Sequence, residues 1–191
     1  MANAAGRRAV AARLGFLPQV VGFYPNLTLR ESVSYAAWLK RVPSGMVPAR
    51  VTEALARVHL TEHADMKMRA LSGGMLHRAG IAQAIVHRPT LVVLDEPAAG
   101  LDPEQRIELR SMIRTMAESS AVLLSTHVVE DIRYIADQVL ILREGRLVFA
   151  GRVDALAEMA RPGERGDNDL ERGYLSVLRS VARGDRGSVP H

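Results

Sequence analysis

Two uninterrupted apolar runs, Leu91-Val92-Val93-Leu94 and Ala121-Val122-Leu123-Leu124, stand out along the chain. Runs of this length, bounded by turn formers, predict strands buried on both faces, as inside a parallel sheet. The segment between them opens with Asp102 and Pro103, an N-cap followed by a first-turn proline. That predicts the crossover helix two parallel strands need. Upstream, residues 13–18 predict a short strand, and Thr28 with Glu31 forms a T-x-x-E capping box before a helix ending near Arg41. Pro43-Ser44-Gly45 breaks that helix. Val47, Val51, Leu55 and Val58 recur at helical spacing, and Ser72 precedes a second face of Leu76, Ala79, Ala82 and Val86. A further helix follows His127 to about Ala136. Residues 139–142 and 147–149 flank Glu144-Gly145 as a hairpin. A polar break at 161–169 leads to a last helix, Leu170 to Val181, and to a tail expected to be disordered. The whole pattern is α/β, with a helical segment over roughly 20–90 set into a framework of strands.

Composition narrows the classes. The 191 residues, 48% hydrophobic and 24% charged, exclude global disorder and fibrous repeats. The absence of cysteine excludes a disulfide framework, a thiolate metal site and a cysteine nucleophile, and fits a reducing cytosol. No run approaches the roughly 18 apolar residues of a membrane span. The first thirteen residues hold no signal-peptide core. A cytoplasmic protein is therefore expected, brought to a membrane only by a partner. The net charge of +4 is uneven, because eight basic residues face only Glu31 and Glu53 within the first sixty positions. Such a surface is a solvated face, a nucleic-acid surface or an apposition to anionic lipid. With aromatics at only 4%, stacking platforms are scarce and no nucleic-acid partner is expected.

Four local signals carry chemistry. In Leu91–Pro97 two carboxylates, Asp95 and Glu96, close a buried strand, at the end that faces the ligand crevice in open α/β sheets. One can hold hydrated Mg²⁺ and the other can deprotonate a water. A solvated acidic turn is the plainer reading. In Leu71-Ser72-Gly73-Gly74-Met75, two glycines open a helix, so backbone N–H groups and the helix dipole can meet an anion. An ordinary serine cap explains the same residues. Ser125-Thr126-His127 follows the second strand, where His127 is a phosphate contact or, more commonly, a structural histidine. Gln19 follows the first strand, as a Mg²⁺ or water ligand or as a surface glutamine.

These signals occur in one order: Gln19, Leu71–Gly74, Asp95-Glu96, Ala99–Asp102, His127. In that order the sequence resembles the nucleotide-binding subunit of ATP-binding-cassette (ABC) transporters, from about Arg13 to about Leu178. The resemblance makes Gln19 the Q-loop residue and Leu71–Met75 the LSGGQ signature, with Met75 departing from the usual last residue. Asp95 becomes the Mg²⁺-side residue of Walker B, Glu96 the general base, Ala99–Asp102 the D-loop and His127 the switch histidine. It implies catalytic roles for Glu96, His127 and Gln19, and nucleotide contacts from Ser72, Gly73, Gly74 and Asp102. The Mg²⁺ contacts would be Asp95 and Gln19. The implied cofactors are ATP and Mg²⁺. The implied partners are an integral-membrane permease and a second cassette, head to tail, with the chain peripheral at the inner face of the membrane. The segments 14–33 and 142–178 are similar to the subgroup serving ABC-2-type exporters.

The resemblance implies a P-loop NTPase (RecA-like) fold with an inserted helical subdomain. Residues 1–19 would be a remnant of the core, 20–90 the helical subdomain, 91–160 the core with Walker B and 161–191 a C-terminal extension. One motif is missing. Only Lys40 and Lys67 are lysines, neither follows glycine, and G-x-x-x-x-G-K-[ST] occurs nowhere in the 191 residues. The N-terminal strands and P-loop of the fold are therefore expected to be absent, through a truncated or misread gene, a split cassette or a degenerate subunit. The smooth start favours truncation. ATPase activity is expected by family and is uncertain for these residues alone. Two rivals remain: a non-catalytic partner donating its signature in trans, and a soluble ABC protein of translation or DNA repair. The second is disfavoured because the 52-position step from Gln19 to Leu71 leaves no room for the coiled coil of repair types, and the second cassette of translation types does not occur in the 191 residues.

Overall fold

The computed structural model describes residues 4–182 and divides into two compact units, one ending at Thr126 and one beginning at His127. The tail expected to be disordered lies outside the described residues. In the first unit, helix α1 (Ala4–Arg13) leads into strand β1 (Leu14–Leu17). Helices α2 (Leu29–Leu39), α3 (Val47–Arg57) and α4 (Gly73–Ile85) follow, then β2 (Leu91–Asp95), α5 (Pro103–Ala117) and β3 (Ala121–Ser125). The three strands form a parallel sheet in the order β1-β2-β3, with Leu17 opposite Leu94 and Asp95 opposite Ser125. The carboxyl ends of all three strands therefore share one edge of the sheet.

The helix starts follow from local chemistry. Thr28 Oγ1 accepts from the Glu31 N–H at 3.1 Å, and the Thr28 N–H donates to Glu31 Oε2 at 2.7 Å, closing the expected capping box. That backbone hydrogen bond holds the Glu31 carboxyl below its usual range. Asp102 caps α5 in the same way, accepting from the Gln105 N–H at 2.9 Å. The inner faces of α2, α3 and α4 bury Val33, Val51, Leu55 and Ile81. Glu53 on α3 meets Arg57 at 3.2 Å and takes a forked hydrogen bond from Arg88, which ties α3 to the turn before β2.

Of the two runs expected to be buried on both faces, β2 comes nearer. It buries Val92 and Leu94 and half-covers Val93, while Leu91 is exposed. The expectation fails for β3, whose Val122 and Leu124 are half-buried while Leu123 is 50% exposed. The reason is topological: β3 is an edge strand, paired on one side only, and one of its faces is open. Helices α1 and α7 lie where the apolar spacing marks none.

Lys40 ends α2 and sends its ammonium inward. Nζ donates to the carbonyls of Ala11 at 3.0 Å and Leu14 at 2.8 Å, joining the end of α1 to the start of β1. Burial lowers its pKa. His87 shares the Leu14 carbonyl, with Nε2 at 3.2 Å, while its buried Nδ1 has no hydrogen-bond partner. Burial first, and then the charge of Lys40, push the His87 pKa down to about 4. The folded chain thus prefers neutral His87, whereas the unfolded chain protonates it near pH 6.5. Stability from this group is complete above about pH 6.5 and declines as pH falls toward 4. His87→Gln is expected to flatten that part of the acid limb in urea unfolding followed from pH 7 to pH 4. An unchanged slope would count against it.

In the second unit, α6 (Val129–Ile135) precedes the antiparallel pair β4 (Gln138–Arg143) and β5 (Arg146–Arg152), then α7 (Val153–Glu158) and α8 (Asp169–Ala182). Glu144 and Gly145 form the two-residue turn, with φ of 51° and 75°. Positive φ at both positions is what such a hairpin turn requires. Val139, Ile141, Phe149, Leu156, Leu170 and Val177 make its core. Among the described residues of both units, no helix is long and apolar enough to cross a membrane.

Candidate functional site

The shared carboxyl edge of the parallel sheet gathers three of the expected residues of the first unit, Gln19, Asp95 and Glu96. β2 ends at Asp95, and the chain turns at once: Glu96 has φ 48°, the left-handed region a non-glycine residue enters at a cost on the order of 1–3 kcal/mol. Such outliers cluster at functional sites. Both carboxylate residues are half-buried. Ser125, at the end of β3, donates its hydroxyl proton to Asp95 Oδ1 at 2.6 Å and accepts from the Glu96 backbone N–H at 2.9 Å. Gln19 follows β1 by two residues, at the same edge, and is exposed.

Ser72 caps α4 with its hydroxyl, which accepts from the Met75 N–H at 3.3 Å. Ser72 and Gly73 are exposed, and a Cβ on Gly73 would meet nothing within 4 Å. Space is therefore open beside first-turn amides, which lack intrahelical acceptors. Gly74 is different: a Cβ there would come 2.8 Å from the Gln105 side chain. That contact brings the start of α4 beside the start of α5, which Asp102 caps. Arg78 and Glu108 extend it with an ion pair at 3.3 Å. The sequence motifs Leu71–Gly74 and Ala99–Asp102 are thus neighbours in space. His127 opens the second unit and is exposed.

Among the described residues, no group of three or more His, Cys, Asp or Glu side chains could cage a metal. Mg²⁺ needs no such cage, since it is bound through one or two carboxylates together with waters and substrate phosphates. Asp95, with Oδ1 engaged by Ser125, presents a donor of this kind, so the residues fit a hydrated Mg²⁺. The open amide end of α4 fits a phosphate.

Sequence reasoning gave Ser125 no role of its own. The signal was available: it ends the strand whose parallel neighbour ends in Asp95, so the register places its hydroxyl beside both carboxylate residues.

A model of the ABC transporter family matches residues 2–99. The chain belongs to the ABC transporter ATP-binding family. It is 36% identical over 154 residues to the uncharacterised ABC transporter ATP-binding protein YxlF of Bacillus subtilis, covering 80% of this chain and 52% of that one. With the linearmycin resistance ATP-binding protein LnrL of the same organism it shares 31% over 178 residues, 89% of this chain and 56% of the relative. The methionine import ATP-binding protein MetN of Xanthomonas campestris pv. campestris is 34% identical over 153 residues, 79% of this chain and 46% of MetN. The chain thus spans about half the length of the curated relatives it matches. A solved ATP-binding subunit of an ABC transporter superposes with a TM-score of 0.74 at 26% identity, over 92% of this chain and 72% of that one. The cbiO1 protein of Clostridium perfringens, part of the cbiONQ ABC transporter complex, gives 0.71 at 26%, over 82% and 64%. The α/β fold is that of the ABC ATPase domain.

Proposed function

We propose that this chain is the signature- and Walker B-bearing part of an ABC exporter's ATP-hydrolysing subunit. It would work at the inner face of a membrane through a partner permease. The observation that carries this reading is the carboxyl edge of the sheet, where Asp95, the left-handed Glu96 and Ser125 form one hydrogen-bonded group. Export is favoured by relatives that include a linearmycin resistance protein and the Nod factor export ATP-binding protein I of Bradyrhizobium diazoefficiens, although MetN is an importer subunit.

When bound, ATP supplies the phosphoryl group and Mg²⁺ neutralises its charge. Asp95 and Gln19 would hold the cation. Glu96 would take the proton of the attacking water; for His127, which belongs to the second unit, a phosphate contact is proposed from the family resemblance alone. Ser72, Gly73 and Gly74 offer a hydroxyl and backbone N–H groups to the nucleotide of a second cassette packed head to tail, with Asp102 ordering the adjoining helix start. In domain terms, 1–19 and 91–160 are core, 20–90 is the helical subdomain and 161–191 an extension. A second reading has its own observation. The 191 residues contain no G-x-x-x-x-G-K-[ST], so the chain acts as a non-catalytic partner if no such segment joins it.

The permease side is testable. Val20 is 84% exposed and Tyr24 61% exposed, while Val21 and Phe23 are half-buried, so only part of the apolar cluster faces outward. The outward part continues onto α2. Tyr24 meets Tyr35 edge-on at 5.7 Å, and Tyr35 stacks on Trp38 at 5.8 Å, with Trp38 67% exposed. An exposed aromatic row of this kind fits a protein partner. Because the chain has no cysteine, Tyr24→Cys or Trp38→Cys introduces a unique thiol. Crosslinking to a co-expressed ABC permease is expected well above that of Glu118→Cys, an exposed control. Equal labelling at all three positions would remove the docking surface.

A further inference from the structure

Ser125 closes β3 two positions before His127. Its hydroxyl serves both residues of the carboxylate pair at once, donating to Asp95 Oδ1 at 2.6 Å and accepting from the Glu96 N–H at 2.9 Å. One hydroxyl has one proton to give and lone pairs to receive, and both capacities are used here. The shorter bond has the length of a charge-assisted O–H···O⁻ contact. The arrangement needs the parallel register that sets Asp95 opposite Ser125.

We propose that Ser125 is a positioning residue that clasps the consecutive acidic residues Asp95 and Glu96, turning Asp95 Oδ1 toward β3 and pinning the backbone of Glu96 in its left-handed turn. The consequence for Asp95 is that Oδ1 is committed to Ser125, which would leave Oδ2 to face a cation. For Glu96, the N–H of a residue at φ 48° gains an acceptor outside its own strand, so the turn that aims this side chain is tied to β3. A threonine at 125 would keep both bonds. An alanine or valine would keep neither. The cation part of this assignment rests on the reading of Asp95 as the Mg²⁺-side carboxylate; the clasp itself does not.

The test compares Ser125→Thr with Ser125→Val in the full 191-residue chain, two β-branched residues of similar shape that suit a strand and differ in the hydroxyl. Ser125→Ala gives a third point if the valine chain is poorly folded. Amide hydrogen exchange resolved by residue is the readout. The Glu96 amide is expected to exchange alike in the parent and threonine chains, and about tenfold faster in the valine and alanine chains. The amides of Val93 and Leu123 should be unchanged. Titration with Mn²⁺ alone, read as broadening at Asp95, should show weaker binding without the hydroxyl, since partners of metal ligands typically contribute about 10–100-fold in affinity. Equal Glu96 exchange in the threonine chain and in the folded hydroxyl-free chains overturns the clasp, whatever Mn²⁺ does. A clear exchange difference with no Mn²⁺ broadening in any chain supports the clasp and instead overturns the reading of Asp95 as a cation ligand.

Discussion

Glu96→Gln is expected to lower ATP turnover by about 10²–10⁴-fold in a cassette completed with a family-typical G-x-x-x-x-G-K-[ST] segment, while ATP binding persists. The amide is nearly isosteric with the carboxylate and accepts no proton, so the loss isolates the base. The backbone makes the site specific. Glu96 leaves β2 at φ 48°, a conformation its own strand does not dictate, and its N–H is held by Ser125 across the sheet. Met75→Gln in the same cassette is the contrasting change. Met75 contributes its backbone N–H to the Ser72 cap, and that bond survives any side chain. The 191-residue chain without the added segment is the blank. Phosphate release under single-turnover conditions measures all three. Turnover above a tenth of the parent value in Glu96→Gln would mean that another group takes the proton.

The largest structural effect is expected at Gly173. A Cβ there would lie 1.8 Å from the carbonyl oxygen of Leu156. That oxygen accepts the Met159 N–H at 3.2 Å at the end of α7, so it belongs to ordered backbone and not to a side chain that can swing aside. Gly173→Ala must therefore move α8 away from α7, opening the core that Leu156, Leu170 and Val177 share. Overpacking of this kind costs about 1–3 kcal/mol and sometimes more. For a chain of this size each kcal/mol is worth about 2–4 °C in melting temperature. Gly45→Ala, where nothing lies within 4 Å, should leave the melting temperature within about 2 °C. Differential scanning calorimetry on both variants decides it, and equal melting temperatures would show that α8 does not approach α7 this closely.

Legibility differed by the range of the interaction. The capping box at Thr28 and Glu31, the Asp102–Pro103 start of α5 and the Glu144-Gly145 hairpin were readable because each is complete within a few residues. The order Gln19, Leu71–Gly74, Asp95-Glu96, Ala99–Asp102, His127 was readable because it is a property of the string. Lys40 shows the limit. Its scarcity among the basic residues drew attention to phosphate chemistry, yet in the fold its ammonium is spent on the carbonyls of Ala11 and Leu14. Nothing near Lys40 in the chain points to that destination.

The sequence by itself determined the family and the type and order of the elements other than α1 and α7, because helix caps, prolines, apolar periodicity and motif strings act over one or two turns of chain. Tertiary structure alone decided which runs are covered and which side chains meet. β3 has a similar apolar run to β2, but it lies at the sheet edge, so Leu124 is half-buried where its register partner Leu94 is buried, and Leu123 is exposed where its partner Val93 is half-buried. Ser125 reaches Asp95 and Glu96 only through a register between strands thirty positions apart, and Gly74 meets Gln105 only because two helix starts converge. Such contacts depend on pairing and packing over long separations, and no local pattern of apolar and polar residues encodes them.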